Sequence, residues 1–251
     1  MDISTYRVKI LKGTQEYVLK ELLEKYPSIF VKSKTEESIT FEYENIPLDN
    51  FRNIYSGLHL TNSDEVSINI SRRYWRKEFV SAGINPSLAY ILCMIANLSE
   101  QDIVYDPFCG TSTIPITAIK YFNVKRVIAS DISGSAIDAS LVNFKRANIP
   151  TDRYKLFRGD ISKNHLNKRN LDCIITNLPF GIRVGSHEEN IIIYRELEKL
   201  AERILRMKGR IVVLTQEKAL IKEVFKSWDI KKILTVDEGG LLPDIFLIKR
   251  F

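Results

Sequence analysis

Four polar residues stand at the ends of apolar runs in the second part of the chain. They are Asp106 after QDIVY, Asp131 after VKRVIAS, Asp160 after RYKLFRG and Asn177 after DCIIT. If each run is a buried strand, each tip points out of one edge of one sheet. In open α/β sheets ligands bind outside those carboxyl ends. One Asp at a strand end is more often a helix cap. Four in succession are better explained by a ligand with hydroxyls, amines or a positive charge. The last tip opens the stretch TNLPFGIR, where an amide is followed by Leu178, Pro179, Phe180 and a glycine. Asn, Pro and Gly also make ordinary turns, so that motif takes its meaning from the other three.

The turn after Asp106, DPFCGTST, has a single glycine, Gly110. A dinucleotide site needs several glycines for close backbone approach to a pyrophosphate, and a carboxylate at Asp106 would repel one. No Walker lysine follows, which argues against a nucleoside triphosphate. S-adenosylmethionine has no phosphate and carries ammonium and sulfonium cations. A carboxylate near its amino-acid end is favourable. Asp131 is then placed to accept from the ribose hydroxyls, and Asp160 from the adenine amine.

Two regions are expected to position these residues. From residue 81 onward, apolar strands alternate with helices, the pattern of a parallel sheet with helices on both faces. Helices are expected from Pro86 to Leu98, over TIPITAIKYF, from Ser135 to Ala147, from Glu189 to Met207 and from Lys218 to Trp228, and strands at GRIVVLTQ, KKILTVD and DIFLIKR. Gly239–Gly240 permits a tight reversal between the last two strands. Before residue 70 the expected order is strand (YRVKIL), helix (GTQEYVLKELLEKY), two strands (IFVKSK, ESITFEYE), helix (PLDNFRNIYSGL) and strand (EVSINIS). That order describes a small ferredoxin-like α+β unit. The expected division is 1–70 for this unit, 71–84 for a basic linker and 85–251 for the α/β domain.

Composition excludes several classes. The chain has 251 residues, 45% of them hydrophobic, enough for a sizeable core. No apolar run reaches the roughly 18 residues of a membrane span, and the N-terminus shows no secretory signal. Three cysteines make no disulfide framework and no metal spacing. The expectation is a cytoplasmic protein without a metal. Residues 1–70 hold 8 Lys/Arg against 11 Asp/Glu, a net of −3, and the rest hold 29 against 20, a net of +9. A basic body suits a polyanion such as RNA. The cluster Arg72, Arg73, Arg76 and Lys77, interleaved with Tyr74 and Trp75, is the expected nucleic-acid contact, with Arg183 as a further phosphate contact.

The motifs Asp106–Thr111, Ser130–Asp131, Gly159–Asp160 and Asn177–Gly181 together resemble the Rossmann-type amino-methyltransferases, and most closely the THUMP-linked tRNA guanine-N2 methyltransferase family. SRRYWRKEFVSAGINPSLA is similar to that family's entry into its catalytic domain. Two departures stand out: there is no room for a THUMP domain between the two regions, and Leu178 stands where many relatives have proline. The resemblance implies a Rossmann-like fold preceded by the ferredoxin-like unit. It also implies contacts to S-adenosylmethionine at Asn85 and Pro86, at Asp106, Phe108, Cys109, Gly110 and Thr111, at Asp131 and Ile132, at Asp160 and Ile161, and at Asn177. Catalysis falls to Asn177, Leu178, Pro179 and Phe180. An exocyclic amine is a poor nucleophile because its lone pair is delocalised into the base. If its two hydrogens bond to the Asn177 side-chain oxygen and the Leu178 carbonyl, the nitrogen can pyramidalise. Pro179 aims the acceptors, and Phe180 stacks on a base taken out of its helix. Asn177 is no base, so the proton leaves after attack. Cys109 reads as a small filler, and the histidines as surface or loop residues.

The expected function is therefore methyl transfer to an exocyclic amine of structured RNA, foremost guanine N2 in tRNA. A partner chain could supply the missing THUMP function. Adenine-N6 methylation of DNA or RNA, and a non-catalytic cofactor-binding RNA-binding subunit, are the alternatives.

Overall fold

The computed structural model describes residues 2–78, 83–163, 166, 169–180 and 186–250. It contains two sheets. The first is antiparallel, from β1 (Ile3–Lys9), β2 (Phe30–Lys34), β3 (Ser38–Glu44), β4 (His59–Asn62) and β5 (Ser67–Asn69), in the order β2-β3-β1-β4-β5. Helix α1 (Gln15–Lys25) covers one face. Alternation in β1 decides which face: Tyr6 and Val8 are buried with Val18, Leu22, Phe41 and Phe51, while Arg7 and Lys9 point outward.

This is the expected ferredoxin-like order with two corrections. PLDNFRNIYSGL forms one 3-10 turn, Leu48–Phe51, and not a helix. Its only fully buried apolar side chains are Phe51 and Ile54, and one turn suffices to seat them. The strand that closes onto β1 is β4, which sequence reading missed. EVSINIS supplies only the short outer strand β5.

The second sheet has seven strands in the order β11-β12-β10-β9-β6-β7-β8. They are β6 (Ile103–Asp106), β7 (Arg126–Asp131), β8 (Tyr154–Arg158), β9 (Leu171–Asn177), β10 (Leu205–Thr215), β11 (Asp229–Thr235) and β12 (Asp244–Lys249). Strands β8 to β10 are mutually parallel across β7, β6 and β9, and β12 runs antiparallel to β10 and β11. Helices α2 (Pro86–Ala96), α3 (Thr113–Phe122) and α4 (Gly134–Arg146) pack on one face, and α5 (His187–Ile204) and α6 (Lys218–Val224) on the other. In β9, Cys173 and Ile175 enter the first core and Ile174 the second. Burial on both sides is why this strand reads as an unbroken apolar run. Cys93, Cys109 and Cys173 are all buried free thiols.

Residues 71–78 of the segment expected as a linker form a packed strap. Trp75 is fully buried in the α/β core, and its Nε1 donates to the Tyr121 hydroxyl at 3.2 Å. Buried Arg73 donates to the carbonyls of Ile70 (2.7 Å) and Tyr55 (2.6 Å). Its guanidinium lies over the rings of Tyr55 and Tyr121, whose centroids lie 4.0 Å apart, tilted by 35°, across the two units. Buried Glu21 accepts from the backbone N–H groups of Tyr55 (2.9 Å) and Ser56 (2.8 Å). The Ser87 hydroxyl donates to Gly57 O at 2.7 Å. On the far side the Asp237 N–H donates to Lys12 O, and a Cβ at Gly13 (φ +91°) would overlap the Thr235 carbonyl.

Candidate active site

Strand order reverses at β6, between β7 on one side and β9 on the other. The crevice for a ligand in such a sheet opens above the carboxyl ends there. Asp106 and Asn177 end these neighbouring strands, and a hydrogen bond ties their tips together. Asp106 Oδ1 accepts from the Thr176 hydroxyl at 2.7 Å and from Phe108 N–H at 3.1 Å. Burial pushes the Asp106 carboxyl up to about 7, with the nearby charge of Asp131 acting in the same direction and the two hydrogen bonds opposing it.

The loop after β6 is held from three sides. Cys109 N–H donates to Ser130 O (3.0 Å) and Gly110 N–H to Asp131 Oδ2 (2.9 Å). From α4, Ser140 Oγ donates to Gly110 O (2.8 Å) and Asn143 Nδ2 to Thr111 O (3.1 Å). Gly110 and Ser112 both have left-handed backbone, at φ +51° and +62°. Cys109 is buried, and burial raises its thiol, as expected of a filler.

Asp131 Oδ1 accepts from Ser133 N–H at 2.9 Å. Each of its oxygens therefore takes one backbone N–H. A carboxylate offers about four acceptor positions, so two remain for a vicinal diol. Ile132, next along, is 66% exposed, an apolar surface beside that diol position. Asp160 Oδ1 accepts from the Ser162 N–H and hydroxyl, both 2.9 Å, bonds that hold its carboxyl below the usual range. Ile161 and Phe108 are half-buried against the second core. Asn85 caps α2 through Ser87 N–H at 2.8 Å, and Pro86 begins the helix.

Asn177 Oδ1 is buried and makes no hydrogen bond among the described residues. Beyond it, Leu178 is buried and its N–H donates to Leu214 O at 3.0 Å. The Tyr194 hydroxyl donates to Pro179 O (3.0 Å) and pairs with Thr215 Oγ1 (2.6 Å). Phe180 is half-buried against the first core. Gly181 and Arg183 lie outside the described residues. Thr176, Ser140, Asn143, Tyr194 and Thr215 were missed by sequence reading. Only their hydroxyl or amide groups at strand tips and on buried helix faces could have signalled them.

The expected nucleic-acid cluster divides. Arg72, Tyr74 and Lys77 are exposed. Arg73 is corrected to a structural residue, since its guanidinium is buried between the two units. Arg76 is half-buried and donates to Ile84 O at 3.2 Å. A groove of about 590 Å³ between the two units is lined by Asn69, Arg72, Arg76, Asn85, Pro86 and Glu238, among others. It lies on the side of the strand tips, because β11 runs parallel to β10 and ends beside Glu238. A larger hollow of about 720 Å³ lies at the opposite edge by Asn97, Lys208 and Arg210. Its Arg210 pairs with Asp102 at 2.5 Å, at the end of the sheet opposite the strand tips. No three His, Cys, Asp or Glu side chains among the described residues could hold a metal ion together, and no described helix is long and apolar enough to cross a membrane.

The chain is 24% identical over 220 residues to the tRNA (guanine(6)-N2)-methyltransferase of Methanocaldococcus jannaschii, covering 72% of this chain and 58% of that protein. It is 27% identical over 185 residues to the tRNA (guanine(6)-N(2))-methyltransferase THUMP3 of Mus musculus, covering 66% and 36%. The chain thus spans between about a third and three fifths of the length of these relatives. Among solved structures, TrmN from Thermus thermophilus superposes with a TM-score of 0.86 at 16% identity, covering 99% of this chain and 100% of that one. The SAH complex of SMU.472 superposes with 0.81 at 12% identity, covering 100% and 99%. At such identities the likeness shows the fold. The profile of the RMKL-like methyltransferase domain matches residues 73–239, two thirds of the chain including every strand tip described above, and the chain belongs to that family.

Proposed function

We propose that this chain transfers a methyl group from S-adenosylmethionine to an exocyclic amine of structured RNA, foremost N2 of guanine in tRNA. The observation that carries the reading is Asn177 Oδ1, a buried acceptor without a partner among the described residues, at the switch point of the sheet. A buried unsatisfied acceptor costs about 1–3 kcal/mol, and a substrate N–H relieves that cost. The names of the curated relatives support guanine N2 and tRNA, and the SAH complex of a protein of the same fold supports the cofactor.

The residues present fit that cofactor. Asp131 keeps two acceptor positions for the ribose, Asp106 offers a carboxyl to the amino-acid end, and Ile132 offers apolar surface to the base. When bound, the cofactor supplies an electrophilic methyl group. Asn177 Oδ1 takes one N–H of the target amine and the Leu178 carbonyl takes the other, which turns the nitrogen lone pair outward. Tyr194 and Leu214 hold the Asn177–Pro179 backbone in place. Phe180 stacks on the extruded base, and the proton leaves after attack, when the nitrogen is cationic. The catalytic contribution is orientation and fixed polarity. The groove beside Arg72 and Asn85 leads RNA to the tips, with a partner chain as a second source of grip.

The test is incubation of the purified chain with isotopically labelled S-adenosylmethionine and tRNA transcript, followed by nucleoside mass spectrometry. Labelled N2-methylguanosine is expected. Labelled N6-methyladenosine would replace guanine by adenine as the target, and no label in RNA would overturn the enzymatic reading.

A further inference from the structure

Asn143 lies on α4, fully buried. Its Oδ1 accepts from the backbone N–H groups of Lys77 and Glu78, both at 3.1 Å. Its Nδ2 donates to the carbonyls of Glu78 at 2.9 Å and Thr111 at 3.1 Å. A primary amide has two acceptor and two donor positions, and all four are filled. The partners belong to two segments far apart in the chain. One is the end of the basic strap that begins at Arg72. The other is the loop that follows Asp106.

A buried asparagine can serve only to satisfy its neighbours. Here the neighbours differ in kind. The loop holds left-handed backbone at Ser112, a non-glycine residue, and such conformations persist where the surroundings impose them. On the α4 side the constraint comes from Ser140 and Asn143. The amide of Asn143 is one planar group, so its hold on Thr111 depends on where Lys77 and Glu78 lie.

We propose that Asn143 is a positioning residue that couples RNA held at the strap to the cofactor loop, so that RNA and cofactor bind with positive cooperativity. This rests on the function proposed above. Phosphates drawn to Arg72 and Lys77 hold the strap more firmly against Asn143, and the same amide then holds Thr111 more firmly before the cofactor arrives. A second ligand binding to an already ordered protein binds more tightly. By linkage the cofactor tightens RNA by the same factor.

The test uses the full chain, unreactive S-adenosylhomocysteine and tRNA transcript, with affinities read by calorimetry. In the wild type, saturating tRNA is expected to tighten S-adenosylhomocysteine by about five-fold or more. Asn143→Asp keeps the shape and both acceptor bonds to the strap but can donate neither to Thr111 O nor to Glu78 O. It is expected to lose that enhancement while binding tRNA alone as the wild type does. The same enhancement in the variant, or none in a wild type that binds each ligand singly, overturns the coupling. A wild type that binds neither ligand singly overturns the function on which it rests, and the coupling with it. Amide exchange in the wild type keeps the proposal open to refutation if the variant does not fold. Exchange over residues 109–113 is expected to slow when tRNA is added without cofactor, and unchanged rates overturn it.

Discussion

A carboxyl group that titrates near neutrality makes cofactor affinity depend on pH. Burial raises Asp106 to about 7, so in the free protein its ionised form is disfavoured. Its contribution to folding is therefore full at acid pH and is lost as pH rises through about 7. Binding has the opposite sign. At the proposed contact the cofactor's ammonium group favours the Asp106 carboxylate, so below about pH 7 binding is expected to release a proton, and affinity to fall by up to about ten-fold per unit of pH. The expected outcome is a dissociation constant for S-adenosylmethionine that rises from pH 7 to pH 5, with proton release seen by calorimetry in two buffers. Asp106→Asn should flatten that slope, and an identical slope in the variant would assign the proton elsewhere. Asn177→Ala acts on the other strand tip. It should leave cofactor affinity nearly intact and lower single-turnover methylation by about 100-fold, as for loss of one preorganised polar group. Wild-type turnover would discard the amine-holding role. Both residues were legible as polar tips of apolar runs. The hydrogen bond from the Thr176 hydroxyl to Asp106 was not, because strand neighbours are set by topology and these two are far apart in the chain.

At the scale of elements, α5 and β10 act together on the segment after Asn177. Tyr194→Phe removes the hydroxyl that joins Pro179 O to Thr215 Oγ1. The expected stability loss is about 1 kcal/mol, accompanied by slower methylation at unchanged cofactor affinity, read by denaturation and single-turnover assays. A stability loss with an unchanged rate would make Tyr194 a packing residue only. The parallel strands were legible because both faces are buried, and their tips followed. The single turn at Leu48–Phe51 was not. Its apolar residues are compatible with helical spacing, yet Asn, Tyr, Ser and Gly in the same stretch are weak helix formers. Nor was the start of β10 at Leu205. Arg206, Met207 and Lys208 are exposed, and the strand is defined there by backbone pairing with an irregular register between Leu205 and Arg210.

For the whole molecule, two adjacent arginines divide the labour. Arg73→Lys loses the planar fork between Ile70 O and Tyr55 O and should destabilise the protein by about 1.5–3 kcal/mol, with little change in RNA affinity. Arg72→Ala should leave stability within about 0.5 kcal/mol, weaken RNA binding and reduce its salt slope by about 1. Chemical denaturation and RNA titrations at two salt concentrations read both; a reversal of the two patterns would refute the assignment. Charge and aromatic interleaving made the strap visible in sequence. Burial of alternate members did not show, because Arg73 and Trp75 are buried by contacts with both units, which local pattern does not record.

The three buried thiols make the molecule its own reporter of opening. Cys93 and Cys173 lie in the α/β core, and burial raises both thiols. A thiol-reactive dye should reach them only when the whole domain opens. Cys109 sits in the loop that the cofactor is proposed to cover, so a smaller opening exposes it. Labelling followed by peptide mass spectrometry should therefore show one faster site and two slow ones, and S-adenosylhomocysteine should slow Cys109 most. Equal rates at all three would mean that the loop and the core open as one unit, and that the loop has no motion of its own for a ligand to arrest.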